Sequence, residues 1–122
     1  MGKFVIKKSA SGVRFNLKAR NGQIIAVSEV YSSEDACRNG IDSVIKNAAV
    51  AKVEDQTVEN YDSVTNPKFE IYKDKGGEFR FRLKSRNGEN IAASEGYVSK
   101  TSCKNGIESV RKNSQDATIV EE

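Results

Sequence analysis

The sequence predicts an α+β domain. Two tandem β-β-β-α-β units, related by a pseudo-two-fold axis, are expected to form one mainly antiparallel sheet with two helices on one face. Three observations carry this expectation. The stretch Asn21–Asn47 recurs as Asn87–Asn113, with 16 of 27 positions identical and no gap; an internal repeat sets the architecture before any other feature does. Ahead of each copy, apolar and polar residues alternate, the period of a strand with one buried face. Inside each copy, apolar residues recur three and four apart, which is the stripe of a helix. A unit of about fifty residues is marginal alone. The halves are therefore expected to share one core in a single domain of residues 1–122, with repeat one at 2–55, a linker at 56–67 and repeat two at 68–122.

The first unit opens with Phe4-Val5-Ile6-Lys7-Lys8, a half-buried strand with Phe4 and Ile6 inward. Ser9 to Gly12 is a turn. Val13 to Arg20 then alternates strictly: Val13, Phe15, Leu17 and Ala19 on one face, Arg14, Asn16, Lys18 and Arg20 on the other. Asn21-Gly22 tolerates the positive φ of a tight hairpin, and Ile24 to Ser28 returns. Ser33 is the expected N-cap of the following helix, with Glu34 and Asp35 where the helix dipole favours negative charge. Cys37, Ile41, Val44, Ile45 and Ala48 form its apolar stripe. Gly40 falls inside that stripe, although glycine costs about 1 kcal/mol relative to alanine in a helix. Its twin Gly106 suggests a close crossing of helix and sheet where a Cβ would collide; the alternative is two short helices broken at this point. Lys52-Val53-Glu54 is a candidate short strand, and polar Gln56 to Asn66 reads as the linker, closed by Pro67.

The second unit repeats the plan with strands at Phe69–Lys73, Glu78–Lys84 and Asn90–Ser94, the Asn87-Gly88 hairpin, and a helix after Ser99. Its stripe of Cys103, Ile107 and Val110 is narrower, because Arg111 replaces Ile45. Ala117 to Val120 is a candidate last strand. The expected core joins Phe4, Ile6, Phe15, Leu17, Ile25, Phe69, Ile71, Phe79, Phe81, Leu83 and Ile91 to Ile41, Val44, Ile107 and Val110.

Phe69 to Asp74, Phe79 to Lys84, Asn87-Gly88, Ser94-Glu95-Gly96-Tyr97 and Cys103 to Val110 together resemble the YegP-like family of small bacterial proteins of unknown function. The resemblance covers nearly the whole chain. It implies a β3-α-β unit used twice, or once in a dimer, with the final strand of each unit exchanged to the other. That would give roles to Lys52-Val53-Glu54 and Thr118-Ile119-Val120. The first unit departs from the pattern at Lys7 to Ala10, where Tyr-Lys-Asp of the second unit is missing. The family supplies no catalytic residues.

The chemistry is bounded by what is missing. There is no histidine, which removes the commonest general base and transition-metal ligand and any Ser-His-Asp or Cys-His arrangement. Neither a phosphate-binding loop nor a dinucleotide fingerprint occurs. No cofactor and no metal site are expected. Cys37 and Cys103 fall on apolar stripes and read as small buried hydrophobes. The enzymatic alternative is a carboxylate or thiol chemistry using Glu29, Glu95 or the two cysteines.

A net charge of +3 is too mild to establish a polyanion partner. No apolar run reaches the ~20 residues of a membrane span, and MGKFVIKKSASG lacks a signal-peptide core; the protein is expected in the cytoplasm, without a membrane partner. The candidate site is the outer face of the second strands: Arg14, Lys18 and Arg20 in one unit, Arg80, Arg82, Lys84 and Arg86 in the other, with Tyr72 beside them. A basic sheet face with an aromatic holds phosphates and stacks bases in some single-strand binders. The competing reading is a solvated face whose cations pair with acids such as Glu70 on neighbouring strands. The sequence thus points to a monomeric, non-enzymatic binding or interaction module with a protein or nucleic-acid ligand.

Overall fold

The computed structural model describes residues 2–122. The elements run β1 (Lys3–Ser9), β2 (Gly12–Lys18), β3 (Ile24–Val27), α1 (Glu34–Ala48), β4 (Lys52–Asp55), β5 (Lys68–Lys73), β6 (Phe79–Lys84), β7 (Asn90–Ala93), α2 (Lys100–Gln115) and β8 (Thr118–Glu121). All eight strands form one mixed sheet in the order β4-β5-β6-β7-β3-β2-β1-β8. Each unit contributes an antiparallel meander, and the two meanders meet where β3 pairs antiparallel with β7. The last strand of each unit is exchanged. β4 lies parallel to β5, with Val53 opposite Phe69, and β8 lies parallel to β1, with Ile119 opposite Phe4.

Alternation places Phe4, Phe15, Phe69 and Phe81 on the helix side, where all four are fully buried. Phe4 meets Phe15 edge-on at 5.5 Å between centroids, and Phe69 meets Phe81 in the same way at 5.9 Å, an arrangement aromatic quadrupoles favour. Ile41, Val44, Ile107 and Val110 close the core from the helices, each contributing roughly 1.5–3 kcal/mol. Of the expected core only Phe79 stays half-buried; it lies at the start of β6, bridged to Tyr97. Arg111, in place of Ile45, lies 5.1 Å from the Phe69 centroid and donates to the Ala48 carbonyl at the end of α1, so it joins the helices instead of widening the stripe.

Both helices are continuous. Ser33 Oγ accepts from the Ala36 N–H and Ser99 Oγ from the Ser102 N–H, as N-caps do. Neither helix breaks at its glycine. The obstacle there is an aromatic side chain from the loop before each helix: a Cβ on Gly40 would fall 2.7 Å from Cζ of Tyr31, and one on Gly106 2.9 Å from Cζ of Tyr97. Each tyrosine is held in place by a backbone bridge to a second strand, Tyr31 to Val13 and Tyr97 to Phe79.

β2 ends at Lys18, two residues earlier than the alternation to Arg20 suggests, whereas β6 ends at Lys84 as expected, two residues short of Arg86. In the first hairpin Gly22 N–H donates to the Ala19 carbonyl and Ala19 N–H to the Gln23 carbonyl. Gly22 takes φ +86°, a left-handed residue closing a three-residue loop with a bulge. Ser85 and Gly88 repeat this geometry. Arg20 and Arg86 therefore belong to turns, not to strand faces.

Candidate functional site

The face of the sheet opposite the helices carries one row that crosses all eight strands. Register links Val120 to Val5, Val5 to Asn16, Asn16 to Val27, Val27 to Ala93, Ala93 to Arg82, Arg82 to Glu70, and Glu70 to Glu54. Val120, Val5, Asn16, Val27 and Ala93 are apolar or neutral, and the second unit's end of the row, Arg82, Glu70 and Glu54, is ionic. The repeat has diverged here, since Val5, Asn16 and Val120 occupy the positions of Glu70, Arg82 and Glu54.

The ionic end is tied up internally. Arg82 donates from Nε to Glu70, and its guanidinium lies 4.4 Å from the Tyr72 ring centroid, a cation–π contact. Lys68 Nζ sits 2.7 Å from Glu54 and 3.2 Å from Glu70. Glu54 is only 2% exposed. It also accepts from Gln56 Nε2 at 2.7 Å and from the Val64 N–H at 2.9 Å, so part of the 56–66 linker lies against this face. Burial opposes ionisation of Glu54, but the Gln56, Lys68 and Val64 hydrogen bonds outweigh it and hold the carboxyl down at about 2. Burial likewise opposes ionisation of Glu70, and Arg82 and Lys68 hold it below the usual carboxylate range. Arg80 pairs with Asp74 at 2.7 Å.

Of the eight residues singled out in the sequence, six share the open face. Arg14, Lys18 and Lys84 stand there with no carboxylate partner among the described residues; Arg80 and Arg82 are paired, and Tyr72 is stacked. Because β2 and β6 run in opposite directions, Arg14 comes to the same end as Lys84, and Lys18 to the same end as Arg80. Between them β3 and β7 present Val27 and Ala93, short side chains that floor a shallow depression of about 140 Å³ bordered by Ser28, Glu29, Tyr72, Arg82 and Asn90. Register adds Lys3 beside Lys18 and Lys7 beside Arg14, two cations sequence reasoning left out although strict alternation from Val5 places them here.

Arg20 and Arg86 are the correction. Their turns carry them to the helix-bearing side, Arg20 beside Lys112 and Asn113 of α2 and its C-cap Asp116, Arg86 beside α1. The alternation of Val13 to Arg20 concealed this, because the turn bond to Ala19 ends the strand before the pattern itself ends.

Cys37 and Cys103 are fully buried. Burial pushes the Cys103 thiol up to about 11 and raises that of Cys37, the reverse of an activated nucleophile. Glu29 and Glu95 are exposed on separate loops. No group of three or more potential metal ligands occurs among the described residues, and no described helix is long and apolar enough to cross a membrane.

A family model described as "Domain of unknown function (DUF1508)" matches residues 9–55 and again 74–121. The chain is 42% identical over 120 residues to the UPF0339 protein YegP of Yersinia pestis, covering 98% of this chain and 94% of that one. A UPF0339 protein of Treponema denticola is 67% identical over 54 residues, which is 44% of this chain and 93% of the relative, so that relative is the length of one unit. The solution structure of yegP from E. coli, a protein of unknown function, superposes with a TM-score of 0.79 at 30% identity, covering 99% of this chain and 92% of the other. That of a UPF0339 protein from Shewanella oneidensis gives 0.80 at 30% identity, with 98% and 90% covered.

Proposed function

The chain belongs to the DUF1508 family, a domain family of unknown function, and from its surface we propose a non-enzymatic binding module whose open sheet face takes an extended polyanion, in the first instance single-stranded nucleic acid. The observation that carries this reading is the pattern of free cations. Arg14, Lys18 and Lys84 flank a seam floored by Val27 and Ala93, and no carboxylate neutralises them among the described residues. Three strand spacings separate β2 from β6, about 14 Å, so a single strand laid along the seam has cations on both flanks. Tyr72 supplies a ring on the same face, where a base can stack in place of the Arg82 guanidinium, which keeps its ion pair with Glu70. Because duplication puts both halves in one chain, the monomer is the binding unit, and its expected compartment is the cytoplasm. The buried, raised thiols count against a redox or thiol enzyme.

The test is binding of a mixed-sequence single-stranded oligonucleotide across a salt series, with the parent beside Arg14→Ser/Lys18→Ser/Lys84→Ser. The parent is expected to bind at low salt and to weaken steeply as salt rises. The variant is expected to lose at least tenfold and to show a shallower slope, by about 0.7 for each phosphate contact removed. Absence of binding by the parent at low salt overturns the reading and turns the search to protein partners.

A further inference from the structure

On the opposite side of the sheet, a cleft of about 540 Å³ opens between α1 and the turn that joins β6 to β7, within the usual size of small-molecule sites. It is built from both units: Tyr31 and Asn39 come from the first, Arg86, Glu89 and Ile91 from the second. Among the described residues, Arg86 and Glu89 are the only charged ones lining it. Neither has an ion-pair partner among the described residues, although Glu89 accepts from the Asn87 amide at 2.7 Å. The Tyr31 hydroxyl and the Asn39 side chain also make no hydrogen bond among the described residues. Asn39 is exposed in mid-helix, where asparagine is a weaker helix former than alanine, so neither packing nor propensity explains its choice. Gly40 is what lets the Tyr31 hydroxyl reach the helix surface here.

We propose that this cleft binds a small zwitterion of di- or tripeptide size, with its carboxylate on Arg86 and its ammonium on Glu89. The lining carries one charge of each sign, which suits a zwitterion and disfavours a dianion such as phosphate, since that would meet one cation and one carboxylate. The Tyr31 hydroxyl and the Asn39 amide, which both donate and accept, meet the peptide groups between the ligand's ends, and Ile91 with the Tyr31 ring forms the apolar wall. The pseudo-symmetric place on α2 is not equivalent. Gln23 stands where Glu89 would be, Asp116 and Lys112 intrude, and the space falls into separate depressions of about 310 and 470 Å³. One ligand per chain follows, despite the duplication.

The probe is trialanine, titrated into the full chain and followed by amide chemical shifts. Saturable shifts confined to Asn39, Arg86, Glu89 and their neighbours, with one-to-one stoichiometry, are expected. Arg86→Ser and Glu89→Gln should each weaken binding about tenfold, as for loss of a charge-assisted contact. Asn39→Ala, which helix propensity favours, should weaken it with the fold intact. Trialanine acetylated and amidated at its ends should not bind. No saturable shift at about 20 mM, equal binding of the blocked peptide, or binding unchanged in all three variants overturns the proposal. The sheet-face reading stands apart, because Arg14, Lys18 and Lys84 do not line this cleft and its failure is read with a different probe.

Discussion

Val27 of β3 stands directly opposite Ala93 of β7, and this is the one registered pair between the two meanders. Such a narrow seam contributes little on its own. What holds the halves together lies elsewhere: β4 along β5, β8 along β1, and α1 against α2 through Arg111 and Gln115.

A single cut in the exposed linker near Asn60 should therefore leave one particle. With a site-specific protease sequence inserted after Glu59, the cleaved halves are expected to co-elute on size exclusion in native buffer and to separate only in denaturant. Separation at micromolar concentration without denaturant would show that strand exchange does not hold the domain.

Gly106→Ala sets two effects against each other. Helix propensity favours alanine by about 1 kcal/mol, whereas the new Cβ meets Cζ of Tyr97 at 2.9 Å and Cε2 of Phe81 at 3.0 Å. Overpacking against anchored rings costs about 1–3 kcal/mol, so a net loss of stability is expected in urea unfolding. In a Tyr97→Ala background the same substitution should cost less or turn stabilising. An equal cost in both backgrounds would mean that Tyr97 is not the obstacle.

Much of this was legible before the fold was known. Strict alternation located Arg14, Arg80 and Tyr72 on one face, and the repeat announced the pseudo-symmetry. The pairing of Glu70 with Arg82 was also open to reading, because cross-strand neighbours of opposite charge are a local property of a hairpin. Arg20 and Arg86 were misplaced, since a bulge that shortens a strand leaves no mark on alternation. The contact of Val64 with Glu54 depends on where the linker lies, and the meeting of Asn39 with Arg86 depends on how the two units pack; neither has a local signal. Asn39 gave no clue to the cleft, since its twin Asn105 lines a different depression.

Acid should reveal the Glu54 cluster. The folded-state carboxyl sits at about 2, below an unfolded value of about 4.3. Between these limits the unfolded chain binds more protons, so stability falls as pH falls. The contribution is complete above about pH 5 and fades as pH drops towards 2. Glu54→Gln removes it. The gap in Tm between parent and variant is expected to be widest near neutrality and to narrow on acidification. A gap that does not change with pH would mean that the carboxylate charge adds nothing.

The pairing of β8 with β1 also has a mechanical meaning. The two strands run parallel, with Lys3 opposite Thr118 and Ile6 opposite Glu121. Tension applied to the two ends of the chain pulls these neighbours lengthwise in opposite directions. Their hydrogen bonds are then loaded together in shear, instead of opening one after another like a zipper. The 56–66 connection lies inside that clamp and bears no load until the clamp gives way. Single-molecule stretching should accordingly show one force peak for the whole domain, where two separately anchored halves would show two.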